Sequence, residues 1–287
     1  MSIKIVTDSN CDLPEAMIAE HGITVVPLYI NIGQQSYLDG IELSRQEFYE
    51  RLPDYESVPT TSAPGPEAFR QVYERLAARG ATEILSIHIS ASLSATFNIA
   101  HAAAQTTSVV PVTAFDSGQL TLGTGLLVLA AAKAAAAGHS MADILGMLEA
   151  QASRTFTFAA LDTLEFLRRS GRVTQLQFGL GSLLQIKPLL KMHDGQIAME
   201  RVRTRRRAIE RLISLVSDLG PVEELTVVHT HALDRAQALQ QQAGHLFPKD
   251  KVPMFAEVTP VIGSHVGPGA VGFACITAAD ESFSAYT

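Results

Sequence analysis

Cysteine is scarce: Cys11 and Cys275 are the only two in 287 residues. Two thiols cannot build a disulfide framework or a four-thiolate zinc site, and they read as small core residues of a reduced compartment. Charged residues are only 18% of the chain, and the formal net charge is -7. That acidic balance argues against nucleic acid as a partner, because phosphate binding needs a basic face. Long apolar runs are also lacking. The longest Ala/Leu-rich stretch, residues 123–138, contains Lys133 and is too short to span a bilayer. The opening MSIKIVTDSN has no charged segment followed by an apolar run. The expectation is a cytoplasmic protein with no secretory signal and no stable membrane insertion.

Several chemical motifs are missing as well. No G-x-G-x-x-G follows the first strand and no G-x-x-x-x-G-K-[ST] occurs, so dinucleotide and phosphate-loop readings fail. No G-x-S-x-G elbow is present. His229 and His231 form the only close histidine pair, with no Cys or carboxylate at chelating spacing, so neither a metal nor a cofactor is expected.

What is present is ample apolar material, 47% of the residues, in a chain long enough for two domains. Short β-rich runs at residues 3–6, 23–30, 84–89 and 109–115 alternate with helical patterns at 13–21, 45–52, 66–79, 94–105 and 120–137. This alternation predicts a mainly parallel sheet with helices packed on it. Ser44 with Glu47 makes a capping box for the second helix. The second half is less regular. Strands are expected at 156–161, 189–192, 197–202, 225–229 and 271–276, with Asp194-Gly195 as a hairpin turn. Helices are expected from Asp162 or Thr163 to Arg169, from Thr204 to Leu219, and over 233–245. The expected division is an α/β domain over 1–155 and a second α/β domain over 156–287.

Four polar segments carry the candidate chemistry. Pro59-Thr60-Thr61-Ser62-Ala63-Pro64-Gly65-Pro66 puts the hydroxyls of Thr61 and Ser62 before a helix N-terminus. Free N–H groups there favour an anion, although an ordinary cap in a rigid turn accounts for the same residues. Strand 84–89 runs into Ser90-Ala91-Ser92-Leu93-Ser94-Ala95-Thr96, more hydroxyls than capping needs, at the strand end where open α/β sheets bind ligands. Ser170-Gly171-Arg172-Val173 sets an arginine fork in a turn, or a solvated surface arginine. Gly263-Ser264-His265-Val266-Gly267-Pro268-Gly269 holds a histidine among glycines in a constrained loop, suited to donate to an anion or to act as a base. Arg201, Arg203, Arg205, Arg206 and Arg207 also concentrate positive charge, either as a solvated face or as a docking patch for an acidic partner.

Taken in order, these segments resemble the DegV family of bacterial fatty-acid-binding proteins. The likeness runs nearly end to end: Ile5-Val6-Thr7-Asp8-Ser9, Thr60-Thr61-Ser62-Ala63-Pro64, Leu93-Ser94-Ala95-Thr96, Phe115-Asp116-Ser117, Leu164 through Val173, Leu183-Leu184-Gln185-Ile186-Lys187-Pro188, and the 262–269 segment. The resemblance implies a two-lobed α/β fold with a long-chain fatty acid between the lobes. It also implies a binding protein, not an enzyme, that presents the acyl carboxylate to a separate fatty acid kinase. Ligand contacts then fall on Thr61, Ser62, Ser94, Thr96, Arg172, Gly263 and His265, and the kinase contact on Arg203. Two positions depart from the family pattern: Ala63 stands where Gln is usual after Thr-Ser, and Ala95 where Gly usually follows the ligand-binding Ser. The rival reading is an acyl hydrolase or thioesterase with Ser94 as nucleophile, His265 as base and Asp116 as the nearest orienting acid.

Overall fold

The computed structural model describes residues 2–172 and 186–279. Its first half runs β1 (Ile3–Asp8), α1 (Glu15–Glu20), β2 (Thr24–Val26), β3 (Tyr29–Ile32), β4 (Gln35–Leu38), α2 (Arg45–Arg51), β5 (Thr60–Ser62), α3 (Pro66–Ala78), β6 (Glu83–His88), α4 (Thr96–Thr106), β7 (Val112–Asp116), α5 (Thr121–Ala136) and α6 (Met141–Ala152). The second half continues with β8 (Thr155–Ala160), α7 (Glu165–Arg169), β9 (Lys187–His193), β10 (Gln196–Val202), α8 (Arg205–Asp218), β11 (Val222–His229), α9 (Leu233–Gln242), β12 (Met254–Glu257), α10 (Pro260–Val266) and β13 (Val271–Thr277).

The protein has an α/β fold. Strands β2-β1-β6-β7 form a parallel sheet in that order. Its two central strands are buried on both faces, as parallel strands covered by helices must be. A second sheet has the order β10-β9-β8-β13-β11-β12, antiparallel except for the β11–β12 pair. The expected hairpin forms here, with Asp194 and Gly195 both at positive φ as a tight turn requires. A small antiparallel sheet, β4-β3-β5, sits apart.

Helix α5 joins the two large sheets. Leu122, Leu127, Val128 and Ala131 pack in one core with Ile5, Leu85 and Ile87 of the parallel sheet and with Val228 and Ala274 of the other. Two glycines allow this double contact. A Cβ on Gly125 would fall 2.3 Å from the Cys11 carbonyl oxygen, and one on Gly123 would fall 2.5 Å from Thr157 Oγ1. The outer faces are covered by α3 and α4 on the first sheet and by α8 and α9 on the second.

The structure departs from the sequence reading at several points. The expected strand 23–30 is two strands in different sheets, divided at Pro27, which has no N–H to give a ladder. The Thr60-Thr61-Ser62 segment is a strand, with Thr61 opposite Ile30. Helix α1 begins only after Pro14, and α4 only at Thr96. The 263–269 segment is mostly helical rather than a loop: Thr259 caps α10, Pro260 takes its first turn, and Gly267 at φ 76 ends it. Helix α6 and strands β4 and β12 were not expected, although Ser140 and Asp143 form a full capping box. Val173 and the Leu183-Leu184-Gln185 part of the sequence resemblance lie outside the described residues.

Candidate functional site

A cleft of about 530 Å³ opens at the carboxyl ends of β1 and β6, with β5 and α10 as walls. This is where a parallel sheet offers free strand-end loops to a ligand. Thr61, Ser62, Ser94, Arg172 and His265 all line it. Strand β5 aims Thr61 at the last turn of α10, where Thr61 Oγ1 lies 2.8 Å from His265 Nε2. Ser94 stands on the turn between β6 and α4. Its Oγ lies 2.8 Å from Thr96 Oγ1 and accepts the Thr96 N–H at 3.3 Å. Arg172 follows the glycine turn after α7, and its guanidinium donates to the Ser170 carbonyl at 2.8 Å.

His265 is nearly buried. Burial first, and the nearby Arg172 charge second, push its pKa down from 6.5 to about 4. The imidazole is therefore neutral at pH 7, and its Nδ1 has no hydrogen-bond partner. A neutral ring can donate through only one nitrogen, so a ligand that accepts from Nδ1 requires Nε2 to accept from the Thr61 hydroxyl. Positive charge at the site comes from Arg172.

Two residues expected in the site stand outside the cleft. Thr96 is fully buried behind Ser94, its hydroxyl turned back to the Ser94 oxygen. Gly263 faces α2, where a Cβ would fall 2.2 Å from Tyr49 Oη; its bareness serves helix packing. Arg203 is exposed on the bend between β10 and α8 and does not line the cleft. The arginine run is less free than its sequence implied. Arg205 pairs with Asp162 at 2.8 Å and Arg206 with Glu210 at 2.8 Å. Asn10, in the turn that follows β1, also lines the cleft, and no motif in the sequence singled it out.

A second cavity, about 50 Å³, is lined mostly by Leu, Ile, Val and Ala side chains, drawn from the six-stranded sheet, the start of α5 and α10. It shares Leu120, Leu190, Ile197, Ile262 and Val266 with the cleft. The polar mouth thus adjoins an apolar interior, the division of labour an amphiphile needs.

A hydrolytic triad is not assembled here. Asp116 accepts the backbone N–H groups of Ala91 and Gly118, and Ser94 is bonded to Thr96 rather than His265. A chain in triad order does occur elsewhere: Asp8 Oδ2 to His88 Nδ1 at 2.9 Å, and His88 Nε2 to Ser86 Oγ at 2.7 Å. All three side chains are wholly buried, with Phe69 packed edge-on against the imidazole and Tyr73 donating to Ser86. That network ties β1 to β6 and offers no surface to a substrate.

Among the described residues, no group of three or more His, Cys, Asp or Glu is placed to hold a metal ion. No helix among them is long and apolar enough to cross a membrane.

A family profile described as "Uncharacterised protein, DegV family" matches residues 2–278. The chain belongs to the DegV family. A DegV domain-containing protein of Streptomyces coelicolor is 39% identical over 278 residues, covering 94% of this chain and 96% of that protein. Solved DegV structures share the fold. A fatty-acid-binding DegV family protein from Thermus thermophilus superposes with a TM-score of 0.86 at 34% identity, over 97% of this chain and 100% of that one. DegV of Bacillus subtilis, described as a fatty acid binding protein, gives 0.87 at 32% identity, over 96% and 100%. Among the described residues, the β1, β5 and β6 loops and α10, which carry four of the segments named from sequence, meet at one cleft.

Proposed function

We propose that this DegV protein is a lipid-binding protein, not an enzyme, and that it holds one long-chain fatty acid. The carboxylate lies among Thr61, Ser62, Ser94, Arg172 and His265, and the tail runs between the sheets. The observation that carries this reading is the junction of a hydroxyl-, Arg- and His-lined mouth with an apolar cavity. The fatty-acid-binding relatives from Thermus thermophilus and Bacillus subtilis support it. Each methylene buried contributes about 0.8 kcal/mol, so the tail supplies most of the affinity. The head-group donors, at about 1.5–3 kcal/mol for a bond to a charged group, select an acid over a neutral lipid. In keeping with the resemblance, the protein presents its carboxylate in the cytoplasm to an ATP-dependent fatty acid kinase, which docks near exposed Arg203. The two halves divide near residue 155.

The test is extraction of the purified protein into organic solvent followed by mass spectrometry. Free fatty acid at close to one per chain is expected. Turnover of p-nitrophenyl or acyl-CoA esters, lost in Ser94→Ala, would instead establish a hydrolase.

A further inference from the structure

The short turn after β1, Ser9–Cys11, presents Asn10 to the cleft. Its side chain is 1% exposed, and neither Oδ1 nor Nδ2 has a hydrogen-bond partner. Buried amides in folded proteins are almost always satisfied, so an amide left with neither bond calls for a ligand.

The turn cannot move to relieve this. Asp8 Oδ1 accepts the Asn10 N–H at 2.9 Å, while Asp8 Oδ2 is held by His88 Nδ1 at 2.9 Å and by the Ile89 N–H at 3.1 Å. The Cys11 carbonyl is pressed against α5 at Gly125. Asp12, the next residue, accepts from Thr121 Oγ1 at 2.7 Å and from the Thr259 N–H at 2.8 Å. The backbone around Asn10 is thus pinned before any ligand arrives, which is the condition for a preorganised donor.

We infer that Asn10 is a head-group ligand: its Nδ2 donates to a carboxylate oxygen of the bound acid, in the cleft that Thr61, His265 and Arg172 also line. This rests on the fatty acid reading of the cleft and adds a residue that reads charge without carrying any. The Oδ1 acceptor is left for a bridging water.

The experiment measures displacement of a fluorescent fatty acid by palmitate, methyl palmitate and hexadecanol in wild type, Asn10→Leu and Asn10→Asp, with melting temperatures as a check on folding. Asn10→Leu removes the donor at similar volume. It should weaken palmitate about tenfold or more and weaken methyl palmitate and hexadecanol, whose neutral oxygens accept a weaker bond, by a clearly smaller factor. Asn10→Asp places a like charge against the carboxylate. It should weaken palmitate further at pH 7.5 and spare the neutral lipids. Unchanged palmitate affinity in both variants would overturn the inference, as would an equal loss for acid and ester, which would mark a packing role. Wild-type protein that fails to bind palmitate at all would remove the fatty acid reading itself, and the inference with it.

Discussion

Single residues set both the polar character of the cleft and the pH response. His265 is neutral because burial and Arg172 lower its pKa to about 4 from 6.5. The unfolded chain therefore takes up a proton below pH 6.5 that the folded chain refuses. This residue's share of stability is complete above about 6.5 and is lost as pH falls toward 4. Asp12 does the reverse. Burial raises its carboxyl to about 7 from 3.8, against the pull of Arg45 and the bonds from Thr121 and Thr259. The folded state then holds the proton longer, so stability falls as pH rises from about 4 toward 7. The two slopes oppose each other over one window. In urea denaturation between pH 4 and 7, Asp12→Asn should expose the acid-side loss due to His265, and His265→Gln should expose the neutral-side loss due to Asp12. Asn is a fair replacement at Asp12 because it tolerates the left-handed φ of 52 there. At the site itself, Thr61→Val and Ser94→Ala should each weaken fatty acid binding by about tenfold, measured by fluorescent titration. Affinities equal to wild type in both would move the head group elsewhere. The hydroxyls were visible in sequence, but the role of Thr96 was not: its side chain bonds backward to Ser94, a choice made by the local turn.

At the scale of elements, glycine separates sites that tolerate change from sites that do not. Gly125 in α5 and Gly146 in α6 both sit in helix interiors. A methyl on Gly125 would meet the Cys11 backbone at 2.3 Å, so Gly125→Ala must push apart α5 and the turn after β1, costing at least about 2 kcal/mol. A methyl on Gly146 meets nothing within 4 Å, and Gly146→Ala should stabilise the protein by about 0.5–1 kcal/mol through helix propensity alone. Thermal melts of the two variants should therefore shift in opposite directions. Most elements were legible because their period and caps agree, as for α8 behind Thr204 and the β9–β10 hairpin at Asp194-Gly195. The exceptions have local causes. Pro27 divides one apolar run between two sheets, and β12 and β4 are four-residue strands too short to show a period.

On the scale of the whole molecule, α5 makes the two sheets one folding problem. Its buried residues belong to a core that draws on both, so neither sheet can lose its partner without exposing the helix. Calorimetry should give a single transition whose calorimetric and van't Hoff enthalpies agree, despite a chain length that would allow two. Charge at this scale bears on the proposed kinase partner. The molecule is acidic overall, yet Arg203, Arg205, Arg206 and Arg207 are all exposed, with Arg205 and Arg206 paired to Asp162 and Glu210. Arg203→Glu should leave fatty acid affinity and melting temperature nearly unchanged. It should slow acyl phosphate formation with the cognate kinase, and the wild-type rate should fall with added salt as surface charge is screened. Loss of fatty acid binding in this variant would assign Arg203 to the ligand cleft.

The α/β character, the alternation of the first half and the polar strand-end loops were determined by the sequence, because apolar period, helix caps and Gly or Pro punctuation act over a few residues and need no distant partner. Only the tertiary structure decided which of those loops meet. Thr61 and His265 are 204 positions apart yet share a hydrogen bond, and Asn10 becomes a buried, unsatisfied amide only because the turn after β1 packs against α5 and α10. Burial, and with it the neutral His265 and the near-neutral titration of Asp12, is a property of packing between segments far apart in the chain. No local pattern encodes it.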